Sequence, residues 1–83
     1  MTTLLVTGGC GFIGSNFIRL QLETYPDQAI LNVDKLTYAG NPENLADVDG
    51  DKRYAFCRGD ICDRNFIDAI LSTRSVDAVV NCA

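Results

Sequence analysis

Histidine is missing altogether from this 83-residue sequence, and no two of its four cysteines stand in C-x-x-C spacing. Without either, the usual zinc ligand sets cannot be assembled, and no metal is expected. Cys10, Cys57, Cys62 and Cys82 fall inside apolar runs or at loop edges. They read as reduced thiols of a cytoplasmic protein rather than as a disulfide framework. There is no block of Lys or Arg, and the net charge is −4, which argues against nucleic acid or an anionic membrane as partner. Apolar runs are only a few residues long, too short to span a bilayer. Met1-Thr2-Thr3 begins neither the basic nor the apolar region of a signal peptide. Repeats, low-complexity stretches and linkers are also lacking.

What remains is enough for one small domain. A chain of this length buries only about 60% of its unfolded surface, but its 47% hydrophobic content is that of a globular protein. Leu4–Thr7 is apolar without alternation, as a strand covered on both faces must be. Gly11 to Thr24 follows with helical spacing. Ile13, Phe17, Leu20 and Thr24 fall on one face, flanked by Ile18 and Leu22, and Arg19 and Glu23 form an i,i+4 pair on the wet side. Pro26-Asp27 ends the helix. Ala29–Val33 is a second strand, closed by Asp34. After the loop KLTYAG, Asn41-Pro42-Glu43 has the chemistry of a helix start, and Asp49-Gly50-Asp51 that of a turn. Tyr54–Cys57 is a third strand. A helix starting at Asp63 or Asn65 carries Phe66, Ile67, Ile70 and Leu71, and Ala78–Cys82 is a fourth strand. The order β-α-β-α-β-α-β predicts an α/β fold, a Rossmann-type parallel sheet with right-handed crossovers.

The segment VTGGCGFIGS joins the first strand to the first helix. It contains Gly9-x-Gly11-x-x-Gly14 and, overlapping it, Gly8-x-x-Gly11-x-x-Gly14. Alone the spacing is weak evidence. Its place after a strand, at the opening of a helix and within a β-α-β unit makes it specific for a dinucleotide. One glycine permits the tight turn, one lets pyrophosphate reach the backbone, and Gly14 lets the helix pack closely on the strand. The helix N-terminus supplies N–H groups for the phosphates. Asp34 stands 20 residues after Gly14, where an acid accepting the ribose hydroxyls belongs; its other role would be that of a solvated strand-end carboxylate. A carboxylate there repels a 2′-phosphate and favours NAD over NADP, although the neighbouring Lys35 works against that preference.

TGGCGFIGSNF, VDKLTYAGNPENL, GDICD and DAVVNCA, in that order, resemble the opening of the dTDP-glucose 4,6-dehydratases, a group of extended short-chain dehydrogenases/reductases. The first stretch is shared by nucleotide-sugar epimerases, decarboxylases and dehydratases; DKLTYAGN is much more specific to the dTDP-glucose enzymes. The resemblance implies that Phe12 and Ile13 offer backbone to the pyrophosphate. It puts Asp34, Lys35, Leu36 and Thr37, with Gly40, around the adenosine ribose and its phosphate. Asp60 and Ile61 would flank the adenine, and Cys82 and Ala83 the central part of the cofactor. Ile61 could equally be core, Cys82 an inward strand residue, and Asp60 a cap for the following helix. Cys10 departs from the pattern, which usually has alanine there. Cys10 reads first as a small filler that happens to be cysteine; because a thiol at a helix N-terminus tends to be reactive, the alternative is that it is alkylated and shielded by NAD.

The enzymes resembled oxidise the sugar at carbon 4 with NAD, eliminate water across carbons 5 and 6, and return the hydride to carbon 6. That chemistry uses a Tyr-x-x-x-Lys pair together with an acid and a base. Tyr25, Tyr38 and Tyr54 are followed four positions later by Ala29, Pro42 and Arg58, so no catalytic residue is assigned. Residues 1–83 are expected to be the N-terminal part of a dinucleotide-binding domain, with the rest of that domain and the sugar-binding region lying outside them. The whole protein is expected to take dTDP-glucose and to form a homodimer. An isolated chain with an apolar edge strand is expected to aggregate or be partly molten. The alternatives are a UDP-sugar epimerase or decarboxylase fragment, and a non-catalytic NAD-binding module.

Overall fold

The computed structural model describes residues 2–35 and 42–82. Four parallel strands, β1 (Thr2–Thr7), β2 (Gln28–Asp34), β3 (Tyr54–Arg58) and β4 (Ala78–Asn81), form one sheet in the order β3-β2-β1-β4. β1 pairs with β2 from Thr2↔Gln28 to Thr7↔Val33, and with β4 from Leu4↔Ala78 to Thr7↔Asn81. β2 pairs with β3 from Ile30↔Tyr54 to Asp34↔Arg58. The carboxyl ends of all four strands therefore share one edge of the sheet, where open parallel sheets bind their ligands.

Alternation along the strands sends side chains to two apolar layers. Leu4, Val6 and Ile30 pack with Ile18 and Leu22 of helix α1 (Phe12–Thr24) and with Leu45. Leu5, Leu31 and Val33 pack on the other face with Ile70 and Phe66 of helix α2 (Arg64–Thr73). The predicted inner face of α1 is corrected by the structure. Gly14, Ser15, Ile18 and Leu22 are buried, whereas Ile13 is 75% and Leu20 58% exposed. The predicted Arg19–Glu23 pair is replaced by a tertiary one. Arg19 Nε and Nη2 donate to the Asp47 carboxylate at 2.8–3.0 Å, tying α1 to the β2–β3 crossover.

Among its described residues that crossover contains no α-helix. Pro42–Leu45 makes a single 3-10 turn, and further turns follow, with Val48 N–H donating to Leu45 O and Asp51 N–H to Val48 O. The proposed cap Asn41 lies outside the described residues. Asp63, not Asn65, caps α2, its carboxylate accepting from Phe66 N–H at 3.2 Å. The far end of α1 is closed by Arg53, whose guanidinium donates to Leu22 O and Tyr25 O at 2.9 and 3.0 Å. Among the described residues no helix is long and apolar enough to cross a membrane.

Candidate functional site

β1 runs directly into the glycine turn. Gly8 has φ 72°, a left-handed conformation that side chains disfavour. Four successive N–H groups of the turn are directed into the protein. Gly8 donates to Val33 O (3.0 Å), Gly9 to Asn32 Oδ1 (3.0 Å), Cys10 to Asp34 Oδ2 (2.8 Å) and Gly11 to Gly8 O (3.3 Å). The next N–H groups, those of Phe12 and Ile13, open α1. Gly11 gives that helix no side-chain cap, in contrast to the Asp63-capped α2, and its first turn holds no acid. Helix N-terminal N–H groups left this way carry partial positive charge and suit an anion.

The glycines divide by what surrounds them. A Cβ on Gly14 would stand 2.5 Å from Gly8 O and 2.8 Å from Gly9 Cα, so α1 can lie this close to the turn only without a side chain there. A Cβ on Gly9 would run into the Asn32 carboxamide and Ile18. On Gly11 it would meet only Gly8 O, at an ordinary 3.6 Å. Backbone conformation thus accounts for glycine at 8 and packing for glycine at 9 and 14, while nothing among the described residues requires it at 11.

The remaining predicted residues gather along the same edge. Asp34 ends β2 and is 8% exposed. Lys35 Nζ lies 3.2 Å from Asp60 Oδ2, linking the chain beyond β2 to the chain beyond β3. Asp60 also accepts Cys62 N–H at 2.9 Å. That backbone bond, together with Lys35, holds the Asp60 carboxyl below its usual range. Asp60 thus closes a local turn, and Asp63 caps the helix. Ile61 is 39% exposed rather than core. Cys82 is half-buried against the α1-side layer, and its N–H donates to Thr7 O at 2.8 Å. Leu36, Thr37, Gly40 and Ala83 lie outside the described residues. Among the described residues no three His, Cys, Asp or Glu side chains are grouped to hold a metal ion.

Cys10 fits the small filler and not the reactive thiol. It is fully buried, and burial pushes its thiol up to about 11; Asn32 partly offsets this and Asp34 adds to it. Burial both hides the Cys10 thiol and disfavours its thiolate. With iodoacetamide at pH 7.5, exposed Cys62 should label at least about tenfold faster than Cys10. Peptide mass spectrometry gives the two rates, and comparable rates would show that the turn is open.

Three supporting residues went unnoticed in the sequence. Asn32 and Tyr54 lie beneath the turn, with Asn32 Nδ2 donating to Tyr54 Oη at 3.1 Å. Asn44 Nδ2 donates to Cys10 O at 2.8 Å. The available signal was Asn32 itself, an amide inside the apolar run AILNV, which a strand buried on both faces tolerates only with partners.

Residues 5–83 match the family described as GDP-mannose 4,6 dehydratase. A dTDP-glucose 4,6-dehydratase of Neisseria meningitidis is 49% identical over the whole chain, which spans 23% of that relative's length. A Bacillus anthracis dTDP-glucose 4,6-dehydratase, solved in complex with NAD, superposes with TM-score 0.96 at 38% identity; the match covers 100% of this chain and 27% of that one. The UDP-Glc/GlcNAc 4-epimerase of Campylobacter jejuni shares the fold at TM-score 0.87 and 29% identity, over 100% of this chain and 24% of that one. A glycine turn with inward-directed amides, an uncapped helix above it, an acid closing the second strand and a family match over nearly every residue agree, and the chain belongs to the GDP-mannose 4,6 dehydratase family.

Proposed function

We propose that this chain is the N-terminal, NAD-holding part of a dTDP-glucose 4,6-dehydratase. The observation that carries the proposal is the start of α1. It is uncapped and stands over Gly11, where among the described residues an added Cβ would meet only Gly8 O, at an ordinary contact distance. Phe12 and Ile13 N–H hold the pyrophosphate, since the four amides before them are engaged elsewhere. Asp34 accepts from the adenosine ribose, with Lys35, Leu36, Thr37 and Gly40 around it. Asp60 and Ile61 border the adenine, and Cys82 and Ala83 the middle of the cofactor. When bound, NAD supplies the acceptor and donor of the hydride. Because the sequence contains no Tyr-x-x-x-Lys, the proton-handling residues belong to other parts of the whole protein.

Dehydratase rather than epimerase is supported by 49% identity to the former against 29% to the latter, and by DKLTYAGN. In this reading the whole protein takes dTDP-glucose and works as a homodimer. Four unpaired cysteines support a cytoplasmic setting. The test is calorimetric titration of the protein carrying these residues with NAD and NADP, alongside turnover of dTDP-glucose. NAD should bind clearly tighter. Asp34→Asn keeps an oxygen for Cys10 N–H but loses the charge, and should weaken NAD about tenfold or more. Absence of NAD binding would remove the proposal, and equal affinities would remove the preference. Epimerisation of a UDP-sugar without dehydration would shift the assignment to the epimerases.

A further inference from the structure

Asn32 is wholly buried in β2, with apolar Leu31 and Val33 beside it. An amide at such a place costs free energy unless every polar atom is engaged, and here both ends are. Oδ1 accepts Gly9 N–H at 3.0 Å, and Nδ2 donates to Tyr54 Oη at 3.1 Å and to Cys10 Sγ at 3.5 Å. Asp34, two positions on and on the same face of β2, takes the adjoining N–H of Cys10. Two neighbouring side chains of one strand therefore grip two consecutive amides of the turn. Gly8 N–H is still held by a backbone carbonyl of β2, Val33 O; beyond it the turn leaves the sheet, and Asn32 is the first side chain to hold it.

We propose that Asn32 is a positioning residue for the dinucleotide, fixing the glycine turn at the height from which α1 presents Phe12 and Ile13 N–H to the pyrophosphate. This rests on the NAD reading above. Asn32 touches no ligand in this role. Gly9 lacks a side chain so that the carboxamide can reach its N–H, since a Cβ there would collide with Asn32. Gly9 N–H, which can only donate, sets the rotation of the amide so that Oδ1 faces it, and Tyr54 Oη, at 9% exposure on β3, accepts from the Nδ2 left on the other side and steadies it. The glycine pattern of the turn and the asparagine in the strand thus form one device, split between positions 9 and 32.

The test compares a ligand carrying the pyrophosphate with one lacking it, on the protein carrying these residues. ADP-ribose is titrated by calorimetry and adenosine by ligand-observed NMR, against wild type, Asn32→Leu and Tyr54→Phe, with thermal midpoints recorded. Asn32→Leu keeps the branched shape and the number of heavy atoms, though its methyls are bulkier, and cannot accept Gly9 N–H. It should weaken ADP-ribose about tenfold or more while adenosine stays within about threefold. Tyr54→Phe leaves the Gly9 bond but frees the amide, and should weaken ADP-ribose about threefold, again sparing adenosine. If Asn32→Leu does not fold, Tyr54→Phe alone decides. Unchanged ADP-ribose affinity, or equal loss for both ligands, overturns the positioning role. Failure of the wild type to bind either ligand overturns the NAD reading instead.

Discussion

Gly14→Ala is expected to destabilise the protein by about 2–3 kcal/mol. The added methyl would lie 2.5 Å from Gly8 O and 2.8 Å from Gly9 Cα. Both are backbone atoms, so no side chain can rotate away. Relief requires α1 to lift off the turn, and Ile18 and Leu22 lie on the same buried face and would lift with it. Alanine is the better helix former by about 1 kcal/mol, an opposing effect already included in the net figure. The midpoint of urea unfolding, at unchanged slope, measures the difference. A midpoint at or above that of wild type would mean that α1 and the turn are not packed this closely.

Gly11→Ala should do the reverse. Gly11 has φ −76° and ψ 174°, extended backbone open to any residue, and its Cβ would make one ordinary contact. Stability should change by less than about 1 kcal/mol. Cofactor binding should suffer heavily, because the methyl would occupy the room left above the turn. We expect NAD affinity to fall at least about 100-fold, or about 2.7 kcal/mol. Titration of NAD with matched unfolding curves separates the two effects. The decisive pattern is crossed: Gly14→Ala loses stability, Gly11→Ala loses ligand. A Gly11→Ala protein that binds NAD as wild type does would place the pyrophosphate elsewhere.

The strands were legible because a sheet covered on both faces writes itself as unbroken apolar runs such as LLV and AIL. The rotation of α1 was not. Ile13, Phe17 and Leu20 form as convincing an apolar stripe as Ile18 and Leu22, and periodicity alone cannot choose between two such faces. Gly14 held the answer, since a glycine that admits close approach must point inward, with Ser15, Ile18 and Leu22 following at helical spacing. Arg19 illustrates another limit. Glu23 is a local partner visible in sequence, while Asp47 comes within reach only once the crossover folds back over α1. For Cys10 the helix start suggests a reactive thiol, but its chemistry is set by burial above Asn32, which only the fold reveals.

β1 lies in the interior of the sheet although it is made before the other three strands. One side of it meets residues 28–33, but the other waits for residues 78–81, and the Thr3–Asp77 hydrogen bond spans 74 positions. At about 5–20 residues per second, roughly 2–10 s of synthesis separate residues 28–33 from residues 78–81. During that interval Leu4, Leu5 and Val6 have β2 on one flank and an open hydrogen-bonding edge on the other. The growing chain thus carries its most adhesive strand exposed for seconds before the segment that shields it emerges from the ribosome, and codon choice between residues 35 and 77 sets how long that exposure lasts.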